Sequence, residues 1–158
     1  MSKAIIFSLV AVLAIVNISS AQSIYPEENR RILAEKNFIF IAQQVSPQRG
    51  AIRQLGSQYD LAVNPDSVTS FLPYFGRAYA APFDPTDGGI KFTSVKFRYE
   101  LAIAKNRRYE IVITPKDARG VESLRLIAYD NGRATLLVNQ RDKDPITFHG
   151  YLIPGRER

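Results

Sequence analysis

The chain has 158 residues, of which 46% are hydrophobic and 23% charged, with a formal net charge of +6 at pH 7 and no cysteine. The lack of cysteine excludes disulfides, thiol catalysis, thiolate-bound metals and a lipid anchor on an N-terminal cysteine. Basic residues are spread along the chain, and the densest group, Lys105-Asn106-Arg107-Arg108, is shorter than the runs of about five that indicate a nucleic-acid surface. We therefore expect no nucleic-acid partner.

Residues 1–21 have the composition of a secretory signal peptide. Lys3 provides a short basic start, residues 4–18 are almost wholly apolar, and Ser19-Ser20-Ala21 offers small residues for cleavage. The apolar run is shorter than the roughly 20 residues that a membrane helix needs. We expect an exported protein, periplasmic or extracellular, with no transmembrane segment after cleavage, no lipid anchor, and residues 22–158 folded as a single domain.

The first element of the mature chain is predicted to be one short helix over residues 23–36. Ser23 can cap its N-terminus, a proline suits its first turn, and two early glutamates complement the positive end of the helix dipole. Its apolar face is narrow, because it consists of little more than Ile32 and Leu33. We expect this helix to lie against the body of the protein as a strap, outside the core.

Most of the remaining chain alternates between apolar and polar residues, the pattern of half-buried strands. Polar clusters rich in proline, glycine, asparagine or aspartate separate the alternating segments. About eight to ten short strands joined by tight turns indicate an all-β fold, an antiparallel meander that forms either a small barrel or a two-sheet sandwich. The clearest predicted strands cover residues 38–45, 59–63, 68–72, 97–104, 108–113, 124–128, 134–138 and 146–152.

Turn residues and apolar faces together predict the register of three hairpins. Asn64-Pro65-Asp66-Ser67 is a four-residue loop, and Tyr99 pairs with Ile113 if apolar side chains share one face. The same rule applied to the following hairpin leaves Asp130-Asn131-Gly132 as its loop. Gly132 then occupies the left-handed backbone region of a type I turn with a glycine bulge.

The densest cluster of aromatic, proline and glycine residues lies between Leu72 and Phe92 and reads L-P-Y-F-G-R-A-Y-A-A-P-F-D-P-T-D-G-G-I-K-F. Both ends of this stretch favour strands. Its middle does not, because Pro82 and Pro85 lack backbone donors and the aspartates and glycines favour turns. We predict an exposed loop over Ala81 to Gly89.

Aromatic residues of this central stretch, together with its arginine, can form one wall of a groove for a sugar, a peptide or an apolar tail, although aromatics at this spacing more often belong to a core. Asp84 and Asp87 could contribute to a calcium site, but they lack EF-hand spacing, so an ordinary turn-rich loop is the favoured interpretation. The candidate ligand-binding residues are Tyr74, Phe75, Arg77, Tyr79 and Phe83.

The motif L-P-Y-F-G-R-A-Y-x-A-P followed by G-G-I-K-F resembles the signature of a family of secreted bacterial proteins catalogued as a domain of unknown function, number four-two-five-one. The similarity extends from N-F-I-F-I-A at Asn37, through Y-D-L-A-V-N-P-D-S-V at Tyr59, to G-R-A-T-L-L-V-N at Gly132. The family has no assigned activity, so the resemblance implies no catalytic residue.

The residue patterns favour binding over catalysis. His149 is the only histidine, no G-x-S-x-G elbow accompanies it, and we interpret it as a surface strand residue. Glu100 and Glu110 are predicted diagonal neighbours among arginines, which favours a solvated charge lattice over a hydrolytic pair. We expect an envelope-associated, non-catalytic binding module without a cofactor, whose partner is a small ligand, a glycan or an envelope protein. The alternatives are a carboxylate-based hydrolase of envelope glycans and a structural partner of another envelope protein.

Overall fold

The computed structural model describes residues 26–79, 88–105 and 108–155. Within these ranges one helix precedes nine strands. The elements are α1 (Pro26–Ala34), β1 (Phe38–Pro47), β2 (Arg53–Val63), β3 (Val68–Pro73), β4 (Gly89–Ser94), β5 (Phe97–Ala104), β6 (Arg108–Pro115), β7 (Val121–Tyr129), β8 (Arg133–Gln140) and β9 (Lys143–Pro154). The predicted signal peptide, the predicted helix cap Ser23 and residues 81–87 of the predicted loop lie outside the described residues.

The nine strands form one antiparallel sheet in the order β4-β3-β2-β1-β9-β8-β7-β6-β5. Its two edges, β4 and β5, are consecutive in the chain and are joined by only Val95 and Lys96. Three Cα-to-Cα steps span at most about 11 Å, so the sheet has to curl until its edges approach each other. The result is an almost closed barrel. The predicted all-β fold with one N-terminal helix is confirmed, and of the two predicted architectures the barrel is the one formed.

Alternate residues along each strand face the barrel interior, as the period-two pattern predicts. In β1, Phe38 and Phe40 are fully buried, whereas Ile39 and Ile41, which alternate with them, are only half-buried. Burying an apolar side chain of this size contributes about 1.5–3 kcal/mol, so the filled interior is the main source of stability. The largest fully buried side chains are Phe38, Phe40, Phe148, Leu33, Leu61, Leu72, Ile90, Ile111, Ile113, Leu124, Leu126 and Leu136.

Helix α1 belongs to this core, so the prediction of a strap outside it is wrong. Ile32 and Leu33 are 2% and 0% exposed and pack within the main apolar cluster. The narrow apolar face was a misleading signal, because two large side chains are enough when the helix also binds the barrel through polar contacts. Asn29 Nδ2 donates to the carbonyl oxygens of Tyr129 and Asp130 at 3.2 and 3.0 Å, and the Tyr99 hydroxyl donates to the Leu33 carbonyl at 2.7 Å.

A row of small residues crosses four neighbouring strands and ends next to a residue that binds the helix. Ala42, Gly150, Ala134 and Ala128 pair with one another in turn across β1, β9, β8 and β7. Ala128 immediately precedes Tyr129, whose carbonyl receives the hydrogen bond from the helix. The three alanines of the row are buried, so larger side chains there would overpack the interior.

The three predicted hairpin registers are confirmed. Val63 pairs with Val68 across the four-residue loop, and Tyr99 pairs with Ile113. Gly132 has a φ of 78° and its N–H donates to the Tyr129 carbonyl at 2.9 Å. Some strands extend into segments predicted to be polar connections, since β2 begins at Arg53 and β9 at Lys143. Each extension pairs through its backbone with one neighbouring strand, β1 for the start of β2 and β8 for the start of β9, and this pairing does not depend on the polarity of the side chains.

Asp117, which follows β6, holds the short link between the two sheet edges. One carboxylate oxygen accepts a hydrogen bond from the hydroxyl of Ser94. Ser94 is fully buried. The other accepts the N–H groups of Val95 and Lys96 at 3.0 and 3.2 Å. These donors, with the Ser94 hydroxyl as the strongest, lower the pKa of Asp117 below its usual 3.8.

We predict that Asp117→Asn destabilises the protein in a pH-dependent way. Because folding lowers the pKa of Asp117, its stabilising contribution is fully present above pH 3.8 and is lost as the pH falls through the lower folded-state value. Urea denaturation from pH 7 to pH 2.5 should therefore show a difference between wild type and variant that shrinks at acid pH. A difference that stays constant over this range would contradict the assignment. As a control, Ser94→Ala should move the Asp117 pKa towards 3.8 in an NMR titration.

We also predict that Gly132→Val lowers the free energy of unfolding by more than about 1 kcal/mol, because a β-branched residue is poorly tolerated at this positive φ. Gly132→Asn should cost less, since asparagine enters the left-handed region more readily. Urea denaturation of both variants tests the pair. Equal urea denaturation midpoints for the wild type and both Gly132 variants would contradict the bulged turn.

Candidate functional site

The central aromatic stretch continues beyond β3 and lies against the β8–β9 hairpin. Ala78 forms an isolated antiparallel bridge with Lys143. The Tyr79 N–H donates to the Asp142 carbonyl at 2.7 Å, and the Asp144 N–H donates to the Arg77 carbonyl at 3.0 Å. Residues 74–79, which we call the strap segment, are thus attached to the barrel through their backbone.

The contacts of Tyr74 indicate a structural role for this side chain. Its hydroxyl lies within hydrogen-bonding distance of two backbone acceptors, the carbonyls of Arg77 at 2.7 Å and of Asp144 at 3.0 Å. The Lys143 ammonium lies 4.9 Å from the centre of its ring. Burial, together with the nearby Asp144 carboxylate, raises the pKa of Tyr74 to about 12. The hydroxyl therefore stays protonated at neutral pH and serves to hold the strap segment in place.

The other described residues of the predicted wall are more exposed. Tyr79 donates a hydrogen bond from its hydroxyl to the buried Asp144 carboxylate, which raises the pKa of Tyr79. Phe75 is 40% exposed and the Arg53 guanidinium lies 4.9 Å from its ring centre. The Arg77 side chain is exposed to solvent. The remaining candidates, Phe83, Asp84 and Asp87, lie outside the described residues.

The predicted carboxylate pair is found among arginines. The Glu100 carboxylate lies 2.8 Å from the Arg98 guanidinium, and Glu110 lies 3.3 Å from Arg125. Each acid thus has its own cation on the exposed face of the sheet. Across residues 26–79, 88–105 and 108–155, no group of three or more histidine, cysteine or acidic residues has a metal-binding arrangement.

A groove of about 840 Å³ runs over the outer face of β1, β9 and β8, next to the β7–β8 turn. Its size falls in the range of about 300–1,000 Å³ that is usual for small-ligand sites. None of the four described residues of the predicted wall lines it. The lining residues are Gln43, Gln44, Tyr129, Asn131, Gly132, Arg133, Ala134, Thr135, His149, Gly150, Tyr151, Leu152 and Ile153.

A β-bulge in β1 shapes one side of this groove. The register of β1 shifts between Ala42 and Gln44 against both of its neighbours. Against β9, Gln43 is the extra residue, whereas against β2 the extra residues, 55–58, belong to β2. Gly150 lies opposite, and a Cβ atom added there would overlap the carbonyl oxygen of Ile41. The close approach of the two backbones depends on this glycine, and the bulge turns the Gln43 side chain outward.

His149 lies between strands that supply polar neighbours on both sides. It pairs with Gln44 of β1 and with Thr135 of β8. The Thr135 hydroxyl lies 3.2 Å from Nδ1 of the histidine ring. Its neighbours along β9 on the same face are Thr147 and Tyr151, as predicted, because residues two apart in a strand share a face.

The β7–β8 turn contributes donors and one aromatic ring. The Arg133 N–H donates to Oδ1 of Asn131 at 3.0 Å, so the Asn131 amide presents its NH₂ group as the remaining donor. Arg133 is itself exposed and pairs across the sheet with Tyr151. Tyr129 and Tyr151 are 42% and 37% exposed, so the groove has two accessible aromatic rings among hydrogen-bonding groups.

The sequence contained only weak signals for this groove. Gln43 and Gln44 interrupt the alternation of β1, which is typical of a bulge but also of a strand end. The Asp130-Asn131-Gly132 turn was recognised, yet its position beside His149 depends on strand order. Only the pairing of β1 with β9 brings these segments together.

Residues 21–152 match the model of a protein family described as Domain of unknown function (DUF4251). The chain belongs to this family. The DUF4251 match includes every groove residue except Ile153. A crystal structure of a DUF4251 family protein from Bacteroides eggerthii DSM 20697 has a similar fold, with a TM-score of 0.59, 17% sequence identity, and coverage of 85% of this chain and 91% of that chain. No curated protein matches the sequence.

We predict that Gly150→Ala lowers the free energy of unfolding of this DUF4251 protein by about 2 kcal/mol or more, because the added methyl group has to displace the β1 backbone. Gly56→Ala is the matched control, since a Cβ at Gly56 meets nothing within 4 Å, and it should change stability by less than about 0.5 kcal/mol. Urea denaturation of both variants is the measurement. Equal effects of the two substitutions would contradict the close approach at the bulge.

Proposed function

We propose that this DUF4251 protein is exported and acts as a non-catalytic binding module of the cell envelope, with its ligand in the outer groove. Export is supported by the signal-peptide composition of residues 1–21. Among the described residues, no helix is long and apolar enough to cross a membrane. The mature chain would then meet its ligand in the periplasm or outside the cell.

The observation that carries the binding proposal is the composition of the groove. Amide, hydroxyl, imidazole and guanidinium groups line it beside two half-exposed tyrosine rings. Small-molecule sites generally combine such a concave surface with a few polar groups that fix orientation. Tyrosine adds a flat surface and a hydroxyl at little entropic cost. Sugars and other polyhydroxylated molecules need both features in a binding site.

A hydrolase has less support. The described residues that line the groove include no aspartate or glutamate, and hydrolysis of a glycoside usually needs two carboxyl groups on either side of the bond. Glu100 and Glu110, the pair considered from the sequence, each form an ion pair on the outer face of β5 and β6. These carboxylates are placed as surface charges, so we prefer binding to catalysis.

Expression of the full sequence in bacteria tests export first. The purified product should come from the periplasm or the medium, with an intact mass that shows removal of residues 1–21. A cytoplasmic product of full mass would contradict export.

Thermal unfolding of the exported product then tests binding against neutral oligosaccharides, acidic saccharides, peptides and phospholipid vesicles. A ligand at 100 times its dissociation constant stabilises the folded state by about 2.7 kcal/mol. Tyr151→Ala should abolish the stabilisation. Phe75→Ala is the matched control, because Phe75 is similarly exposed, at 40% against 37% for Tyr151, but lies in the strap segment. Loss of the effect in Phe75→Ala alone would place the site on the central aromatic stretch, and no stabilisation by any probe would overturn the proposal.

A further inference from the structure

The described residues that line the groove include a positively charged side chain and no negatively charged one. Among the described residues that line it, Arg133 is the only lysine or arginine, and none carries a carboxylate. A ligand in this groove therefore contacts no carboxylate of a described lining residue. The electrostatic preference of the site is for an anion.

Arg133 differs from several other exposed strand arginines in its ion pairing. Arg98 pairs with Glu100 and Arg125 with Glu110, at 2.8 and 3.3 Å. No ion pair within the described part of the chain involves Arg133. Its guanidinium is placed to bind an external carboxylate through two parallel hydrogen bonds, the geometry that arginine favours.

The groups around Arg133 are neutral and suited to a polar ring. Tyr151 is its neighbour across the β8–β9 pair and presents a half-exposed ring, on which the apolar face of a sugar can pack. Amides of Asn131, Gln43 and Gln44 lie along the same groove. These amides can bind hydroxyl groups, which act as both donors and acceptors.

We propose that the groove binds a saccharide that carries a carboxylate, with the carboxylate on Arg133 and the sugar ring against Tyr151. This inference rests on the proposed binding function and specifies its ligand class. The single positive charge of Arg133 balances the single negative charge of one carboxylate. Phosphate esters carry a higher charge and are generally bound by several converging cations or by backbone N–H groups at a helix N-terminus, which the groove lining does not provide.

Isothermal titration of the exported protein tests the carboxylate directly. The probes are the methyl glycosides of glucuronic acid, galacturonic acid and N-acetylneuraminic acid, each beside its methyl ester. The ester keeps the stereochemistry of the sugar and removes its charge. We expect at least one acid to bind about tenfold or more tightly than its ester, as for a charge-assisted hydrogen bond in a solvent-exposed site. A trimer of galacturonic acid distinguishes an acidic polysaccharide from a single sugar, because additional contacts would make it bind more tightly than the monomer.

Substitutions of Arg133 assign the effect to this residue. Arg133→Gln should weaken binding of the acid about tenfold, to the level of its ester, without changing the affinity for the ester. Arg133→Lys should keep part of the preference, since it keeps the charge but not the bidentate geometry. Arg98→Gln removes one positive charge from β5, outside the groove, and should leave both affinities unchanged. Thermal unfolding without ligand confirms that each variant folds.

The outcomes separate this inference from the proposed function. Equal binding of acids and esters, or an unchanged preference in Arg133→Gln, would overturn the carboxylate assignment and leave the binding module intact. Tyr151-dependent stabilisation by a peptide or by vesicles, with no saccharide bound, would do the same. Inorganic phosphate that competes with the acid at equal concentration would contradict a saccharide site. Failure of every probe would overturn both proposals.

Discussion

A two-residue link between opposite edges of a nine-stranded sheet is the constraint on which the fold depends. Val95 and Lys96 can join β4 to β5 only if the sheet is rolled up. Asp117 accepts the two N–H groups of this link, which would otherwise have no partner in a sheet ladder. Rolling the sheet creates one interior, while the irregularity in β1 and the turn between β7 and β8 border the groove on the outer face.

One residue of β9, Gly150, belongs both to the row of small residues and to the lining of the groove. Ala42, Ala134 and Ala128 are buried members of the row of small residues, while Gln43, next to Ala42, is exposed and lines the groove. Gly150 takes part in both, because its lack of a side chain permits close contact with the β1 backbone. The site is therefore supported by the packing of the core beneath it, which is how a rigid barrel can position ligand-binding groups on its outer face.

Local features of this protein were predictable, and features that depend on distant pairing were not. Gly132 follows Asp130 and Asn131 directly, so the turn type and its register could be inferred from neighbouring residues. Strand alternation says which side chains share a face but not which strands are neighbours, and the choice between barrel and sandwich stayed open for that reason. The role of Tyr74 was also hidden, because its hydroxyl binds the carbonyl of Asp144, 70 residues away.

The pairing of the first strand with the last has a consequence for biogenesis. β1 lies between β2 and β9, and Phe38 pairs with Pro154. A chain that is still emerging during synthesis can form two separate four-stranded meanders, β1 to β4 and β5 to β8, each with its apolar face uncovered. Only the final twelve-residue strand joins them, so the cooperative folding step has to wait for the C-terminal end of the chain.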